Sequence, residues 1–275
     1  GYFPAALKIF NQCYRVTCVD NYVTEQPNSS GIWYDVGNWD GLFINNWIEQ
    51  SNDGFFFEIS NGAICAGNLF VDCNKGVRSL NSRDVHVYHN TFVNSVASFE
   101  RTPRSAVGDH FGWHPASGPD VDEREGHRFI NNLMIGESSF VGPLLQCEQT
   151  PSLCETLQNP QIAAMGGNLY VRESTAKAQP VFAWSPLIAE ANCSKSFESI
   201  DELKPSLKGL GGSDVEWRNY HGYLLNGRLT GNYSLSEKAA VKAVSTKEVP
   251  VEILKKIGLG ESDTALPGAF GKVSL

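Results

Sequence analysis

"GIWYDVGNWDGLFINNWIEQSNDGFFFEIS", residues 31–60, writes glycine, three large residues and a carboxylate, then writes them again at Gly54-Phe55-Phe56-Phe57-Glu58. Self-similarity at so short a period marks a chain built from stacked units. Aligning on asparagine extends the pattern: Asn21, Asn46, Asn68, Asn90, Asn132 and, as an outlier, Asn168 recur at steps of 25, 22, 22, 42 and 36. Two residues after each stand Val23, Ile48, Phe70, Phe92, Met134 and Tyr170; three before the first five stand Cys18, Phe43, Cys65, Val87 and Phe129. Whole columns are therefore apolar.

A period of about 22 suits either a leucine-rich repeat or a parallel β-helix. The repeated leucines of the first are missing, whereas Val, Ile, Phe and Cys in stacked columns suit short coiled strands. The expected fold is all-β: a right-handed parallel β-helix over residues 1–175 with an asparagine ladder, then a closing segment over 176–275. In that segment "SFESIDELKPSLKG" and "SLSEKAAVKAV" read as short capped helices, "VEWRNYHGYLLNGRL" as strand and "ALPGAFGKVSL" as a surface-packed tail. The asparagines are expected in tight turns with left-handed backbone, bonded side chain to side chain between rungs. Their role is structural.

With 275 residues, 41% of them apolar, the chain can bury a substantial core. A net charge of −8 without basic clusters argues against nucleic acid or an anionic membrane as partner, and neutral or polar ligands fit better. No run reaches the ~18 apolar residues of a membrane span. No stretch reads as a targeting signal either, which leaves the compartment open between bacterial cytoplasm and periplasm. Seven cysteines make a poor disulfide framework. Cys147 and Cys154 could pair across a loop, but buried free thiols in a reducing or thiol-tolerant compartment are favoured.

One rung returns the chain to the same place about 4.8 Å further along, so Gly31, Gly54 and Gly76 stack, as do Asp35, Glu58 and Leu80. Strand alternation puts Ile32, Tyr34, Phe55, Phe57 and Val77 on one face and Trp33, Asp35, Phe56, Glu58 and Arg78 on the other. Two carboxylates cannot share a dry interior unpaired, so the second set faces outward, with Trp33 and Phe56 as an exposed aromatic patch. The plain alternative is a pair of solvated strand residues beneath a loop. Like charges on adjacent strands are destabilising, however, which favours a use for the pair. Carboxyl groups roughly 5 Å apart suit a retaining glycosidase. Mutual repulsion would leave one ionised and one protonated. Arg78 would bind a substrate hydroxyl or pair with Asp72, Asp84 or a loop acid.

The largest interruption, residues 98–127, is a long insertion carrying Asp109, His110, Trp113, His114, Asp120, Asp122, Arg124 and His127. Loops inserted into solenoids often line the binding side. Trp113 and His110 read as a sugar platform with a hydroxyl-binding neighbour, and His114 joins them as a substrate-binding candidate. A zinc site on His110 and His114 is disfavoured by the glycine between them, and no metal is expected.

From Gly31 to Asn132, the motifs "GIWYD", "GFFFEIS", "GDHFGWHP", "GPDVDEREGH" and "FINNLM" resemble bacterial β-helix carbohydrate enzymes, most closely glycoside hydrolase family 120, the β-xylosidases. The resemblance implies Asp35 as nucleophile and Glu58 as acid/base, an oligosaccharide substrate and no cofactor. Family members are longer. The resemblance therefore implies that this chain is the C-terminal part of a larger enzyme, its first rungs upstream or on a companion chain. A polysaccharide lyase using Lys75 or Arg78 as base, and a non-catalytic carbohydrate-binding β-helix, are the competing readings.

Overall fold

The computed structural model describes residues 4–110, 112–173, 179–222, 224–236, 245–260 and 266–269. It is a parallel β-helix. Most described strands assort into three mainly parallel sheets, each visited once per turn of the coil, and Leu225–Gly227 and Asn232–Leu235 form a separate antiparallel pair. The first sheet takes Ala5–Phe10, Gln26–Asp35, Ser51–Glu58, Lys75–Leu80, Val96–Arg101 and Leu145–Gln149. The second begins Thr17–Val19, Trp39–Ile44, Asn61–Ala66 and Arg83–Tyr88; the third begins Tyr22–Val23, Trp47–Glu49 and Leu69–Val71.

The repeated apolar columns fill the coil. Phe43, Cys65, Val87, Phe129 and Met165 stack in register through the second sheet, fully buried beside Ile32, Tyr34, Phe55 and Phe57 of the first. Glycine recurs at Gly31, Gly54 and Gly76 in three successive rungs of the first sheet because a Cβ at Gly54 or Gly76 would meet the Phe70 side chain and, at Gly54, the next rung's carbonyl as well. This is the physical reason for the repeated glycine.

Asn21, Asn46, Asn68, Asn90, Asn132 and Asn168 form a continuous amide ladder, each Oδ1 from Asn46 onward accepting the backbone N–H and the side-chain Nδ2 of the preceding member. Asn168 is a regular member, and Asp214 continues the ladder. The left-handed backbone falls one residue earlier than expected, on Asp20, Asn45, Gly67, His89, Asn131 and Gly167. There it makes the corner and frees the ladder residue to point inward.

Parallel pairing extends beyond residue 175, through Phe182–Trp184 beside Leu145–Gln149 and Val215–Tyr220 beside Leu169–Glu173. "SFESIDELKPSLKG" contains a short helix, Ile200–Leu203, capped by Ser199, and a 3-10 turn, Lys204–Leu207. The helix expected in "SLSEKAAVKAV" lies largely outside the described residues. "VEWRNYHGYLLNGRL" supplies strands Val215–Tyr220 and Leu225–Gly227.

Val249, Ile253 and Ile257 cover the outer face of the second sheet, and Leu224, Tyr233, Leu235 and Leu266 that of the third. The outer face of the first sheet is left to charged and aromatic side chains. Cys147 is a buried free thiol, and Cys154 pairs instead with Cys193, 39 residues on. That bridge corrects the Cys147–Cys154 option.

Candidate active site

Asp35 and Glu58 each end a strand of the first sheet and are direct register partners. Their inward neighbours Tyr34 and Phe57 are core residues, so the carboxylates project outward from the coil. The corner behind them is pinned by a second ladder, in which Cys13 N–H donates to Asn38, Asn38 N–H to Ser60, and Ser60 N–H to Ser82. Serine is too common for this ladder to be noticed in sequence.

Outward does not mean exposed: Asp35 is only 6% and Glu58 only 2% accessible. Lys8 lies 2.7 Å from Asp35, and Arg104 from the insertion ion-pairs with Glu58. Burial pushes the Glu58 carboxyl up to about 7, with Arg104 opposing and the charge of Asp35 adding to the rise. Glu58 Oε2 is buried without a donor in reach, whereas a proton on Glu58 lets it hydrogen-bond to Asp35. Adjacent carboxyls, each with its own cation and Glu58 pushed up by burial, are the arrangement's chemical content.

Trp33 and Phe56 stack at 4.9 Å beside the pair, but they are buried rather than exposed. Lys8 sits 3.6 Å from the Trp33 ring centroid and Arg78 4.7 Å from that of Phe56. These cations replace the free patch expected from alternation. Trp33 Nε1 is nonetheless buried without a partner. Arg78 pairs with Glu100 at 3.0 Å and Asp53 at 3.6 Å, rather than with Asp72 or Asp84. Lys75 also binds Glu100, which the two cations hold below its usual carboxylate range against the effect of its burial.

The insertion lies against the corner that follows the carboxylates, where Gly118 packs on the Ile59 carbonyl and Gly37 on that of Ala116. Two buried arginines hold it. Arg101 donates to Gln149 and Asn159, and Arg124 to Thr102 and Pro119. Trp113 donates its indole N–H to Gly118, His114 caps the turn Pro115–Ser117 through Nδ1, and His110 is exposed. Asp109 accepts from Ser105 and Asp120 caps Val121–Glu123. His127 is buried against Phe99. The loop's reach to Glu58 is made by Arg104. Lys8 and Arg104 were both missed from sequence; Lys8 does precede Trp33 by one rung, a spacing that could have revealed it.

A family model described as periplasmic copper-binding protein (NosD), a parallel β-helix type, matches residues 8–113. No curated protein and no solved structure matches the chain. The match agrees with the coil. Copper sites take thiolate, thioether or imidazole ligands, yet Cys18, Cys65, Cys73 and Cys147 lie inside the coil with thiols pushed up by burial. Among the described residues no three His, Cys, Asp or Glu side chains converge to hold a metal.

Proposed function

We propose that the protein is a retaining glycoside hydrolase that releases a terminal sugar from oligosaccharides through a covalent glycosyl-enzyme. Asp35, ion-paired to Lys8, attacks the anomeric carbon. Glu58, protonated near neutral pH, gives its proton to the leaving oxygen, then takes one from the water that releases the sugar. The observation that carries the reading is the direct register pairing of Asp35 and Glu58 on adjacent rungs, since a rung step of about 4.8 Å lies nearer the roughly 5–5.5 Å of a retaining pair than the wider gap of an inverting enzyme. Arg104, whose side chain is 47% exposed, swings off Glu58 to admit substrate, and the unpartnered Trp33 Nε1 awaits a sugar hydroxyl. β-Xylose as the sugar rests on the resemblance to glycoside hydrolase family 120.

A non-catalytic β-helix is the second reading, favoured by the low accessibility of both carboxylates. A lyase is disfavoured, because Lys75 and Arg78 are both engaged in ion pairs with Glu100, Arg78 with Asp53 as well. The deciding experiment incubates the protein with a panel of aryl glycosides while proton NMR follows the anomer first released. The retained anomer is expected from the xyloside. Asp35→Ala and Glu58→Ala should each lower kcat by several orders of magnitude, with azide rescuing Asp35→Ala as a glycosyl azide. Inverted product, or full activity in either variant, overturns the assignment.

A further inference from the structure

A groove of about 610 Å³ runs along the outer face of the second sheet, around the corner from Asp35 and Glu58. Its floor is the register row Thr17, Leu42, Ile64 and His86. Three rung steps make that floor about 14 Å long. One wall is the helix Val251–Lys256; the other is the corner row Trp39, Asn61 and Arg83. Its size lies within the range of small-molecule sites, about 300–1,000 Å³.

We infer that this groove is a second binding site, separate from the carboxylate pair, for a short neutral oligosaccharide. Trp39 keeps 39% of its surface accessible although Arg83 lies 5.5 Å from its ring centroid, so an aromatic face is on offer. Asn61, between Trp39 and Arg83 in the row, is 3% accessible, and its Nδ2 is buried without a partner. A buried amide donor left unmade is costly unless something accepts from it. The charged groups around the groove balance, Arg15, Arg83 and Lys256 against Asp40, Asp84 and Glu252, which disfavours a strongly charged occupant. A flat apolar ring face, polar groups at the edges, an amide donor and a floor a few rungs long describe a chain of linked pyranose rings. An extended peptide offers no comparable flat face to Trp39.

Arg83 also pairs with Glu123 of the insertion, whose Arg104 holds Glu58 on the other side of the corner. The insertion thus separates the two sites. Oligosaccharide held on the second sheet would keep a polymer near the carboxylates without occupying them.

The test is an NMR titration of the full chain with xylotetraose, following the indole N–H resonances, with tetragalacturonate and an uncharged peptide as parallel probes. The Trp39 resonance, assigned by its loss in Trp39→Phe, should shift with millimolar or tighter affinity. Trp39→Ala should weaken binding about tenfold or more, while Trp39→Phe retains most of it. Asn61→Ala should weaken binding without lowering the melting temperature, since it removes an unmade buried donor. Asp35→Asn should leave affinity unchanged, and Trp39→Ala should leave any aryl-xyloside hydrolysis unchanged. Shifts confined to Trp33 or Trp113, preference for the peptide or the anionic probe, or equal affinity in Trp39→Ala overturn the inference. Binding at Trp39 without hydrolysis upholds this groove while removing the catalytic reading of Asp35 and Glu58; hydrolysis without binding at Trp39 does the reverse.

Discussion

Val36 and Ile59 follow the two carboxylates directly and adopt φ of 53° and 46°, a left-handed conformation that β-branched residues rarely take. Neighbouring rungs put Asn11 and Asn81 at the equivalent corners, residues that tolerate it. Strain of about 1–3 kcal/mol per residue is therefore stored beside the acid pair, where it helps fix the carboxyls. Val36→Asn should raise stability by about 1 kcal/mol, measured by urea denaturation; a loss would show that Val36 packing outweighs its backbone cost. Glu58 has a further signature. Its folded-state value of about 7 lies above the ordinary 4.5, so the native state binds the extra proton between those limits. Stability on its account is unpenalised below about 4.5, falls as pH rises, and is lowest above about 7. Glu58→Gln should be insensitive to this window and should gain on the native protein between pH 5 and pH 8 in thermal melts. An equal difference at both pH values would mean that Glu58 carries no proton at neutrality.

Within elements, the ladder converts position into energy. Asn68→Ala strips Oδ1 from two donors of Asn46 and leaves the Phe43 carbonyl without its amide, all in the buried coil. A cost of about 3–5 kcal/mol follows. Asn21, at the partly exposed first rung, should cost about 1 kcal/mol when changed to Ala, because water can replace what it loses. Calorimetry that gives equal losses would deny the ladder its depth dependence. Asp214 is the ladder's anomaly, its Oδ2 buried without a partner and its carboxyl pushed by burial from 3.8 up to about 7. Asp214→Asn should add about 2–4 kcal/mol at pH 8 and little at pH 4, where the native aspartic acid is already neutral. What could be read from sequence divides along the same line. Columns such as Phe43, Cys65 and Val87 and the asparagines repeat, so periodicity exposes them. Asp214 changes residue type after an irregular stretch. The burial of Trp33 and Phe56 depends on where Lys8 and Arg78 lay their side chains, which alternation does not specify. Arg104 reaches Glu58 along a loop path that no repeat dictates.

On the scale of the whole molecule, rungs touch only their neighbours, so stability is close to a sum of local contacts along one axis. The Cys154–Cys193 bridge sits well down that axis from the acid pair, tying the turn after Leu145–Gln149 to the segment preceding Lys195–Phe197. Closing a loop of 39 residues by a disulfide contributes about 4 kcal/mol on the chain-entropy account. In a globule with a single cooperative core that loss would be shared by every residue. In a coil it should stay local: reduction, or Cys154→Ser with Cys193→Ser, should speed amide exchange over the described residues between 145 and 222. Protection of Asn46, Asn68 and Asn90, and of the backbone around Asp35 and Glu58, should hold. Any glycosidase activity should then survive reduction at temperatures where the far end has frayed. Hydrogen exchange read by mass spectrometry decides it, since a uniform rise along the coil would show that the rungs melt together and that the candidate site borrows its stability from the distant bridge.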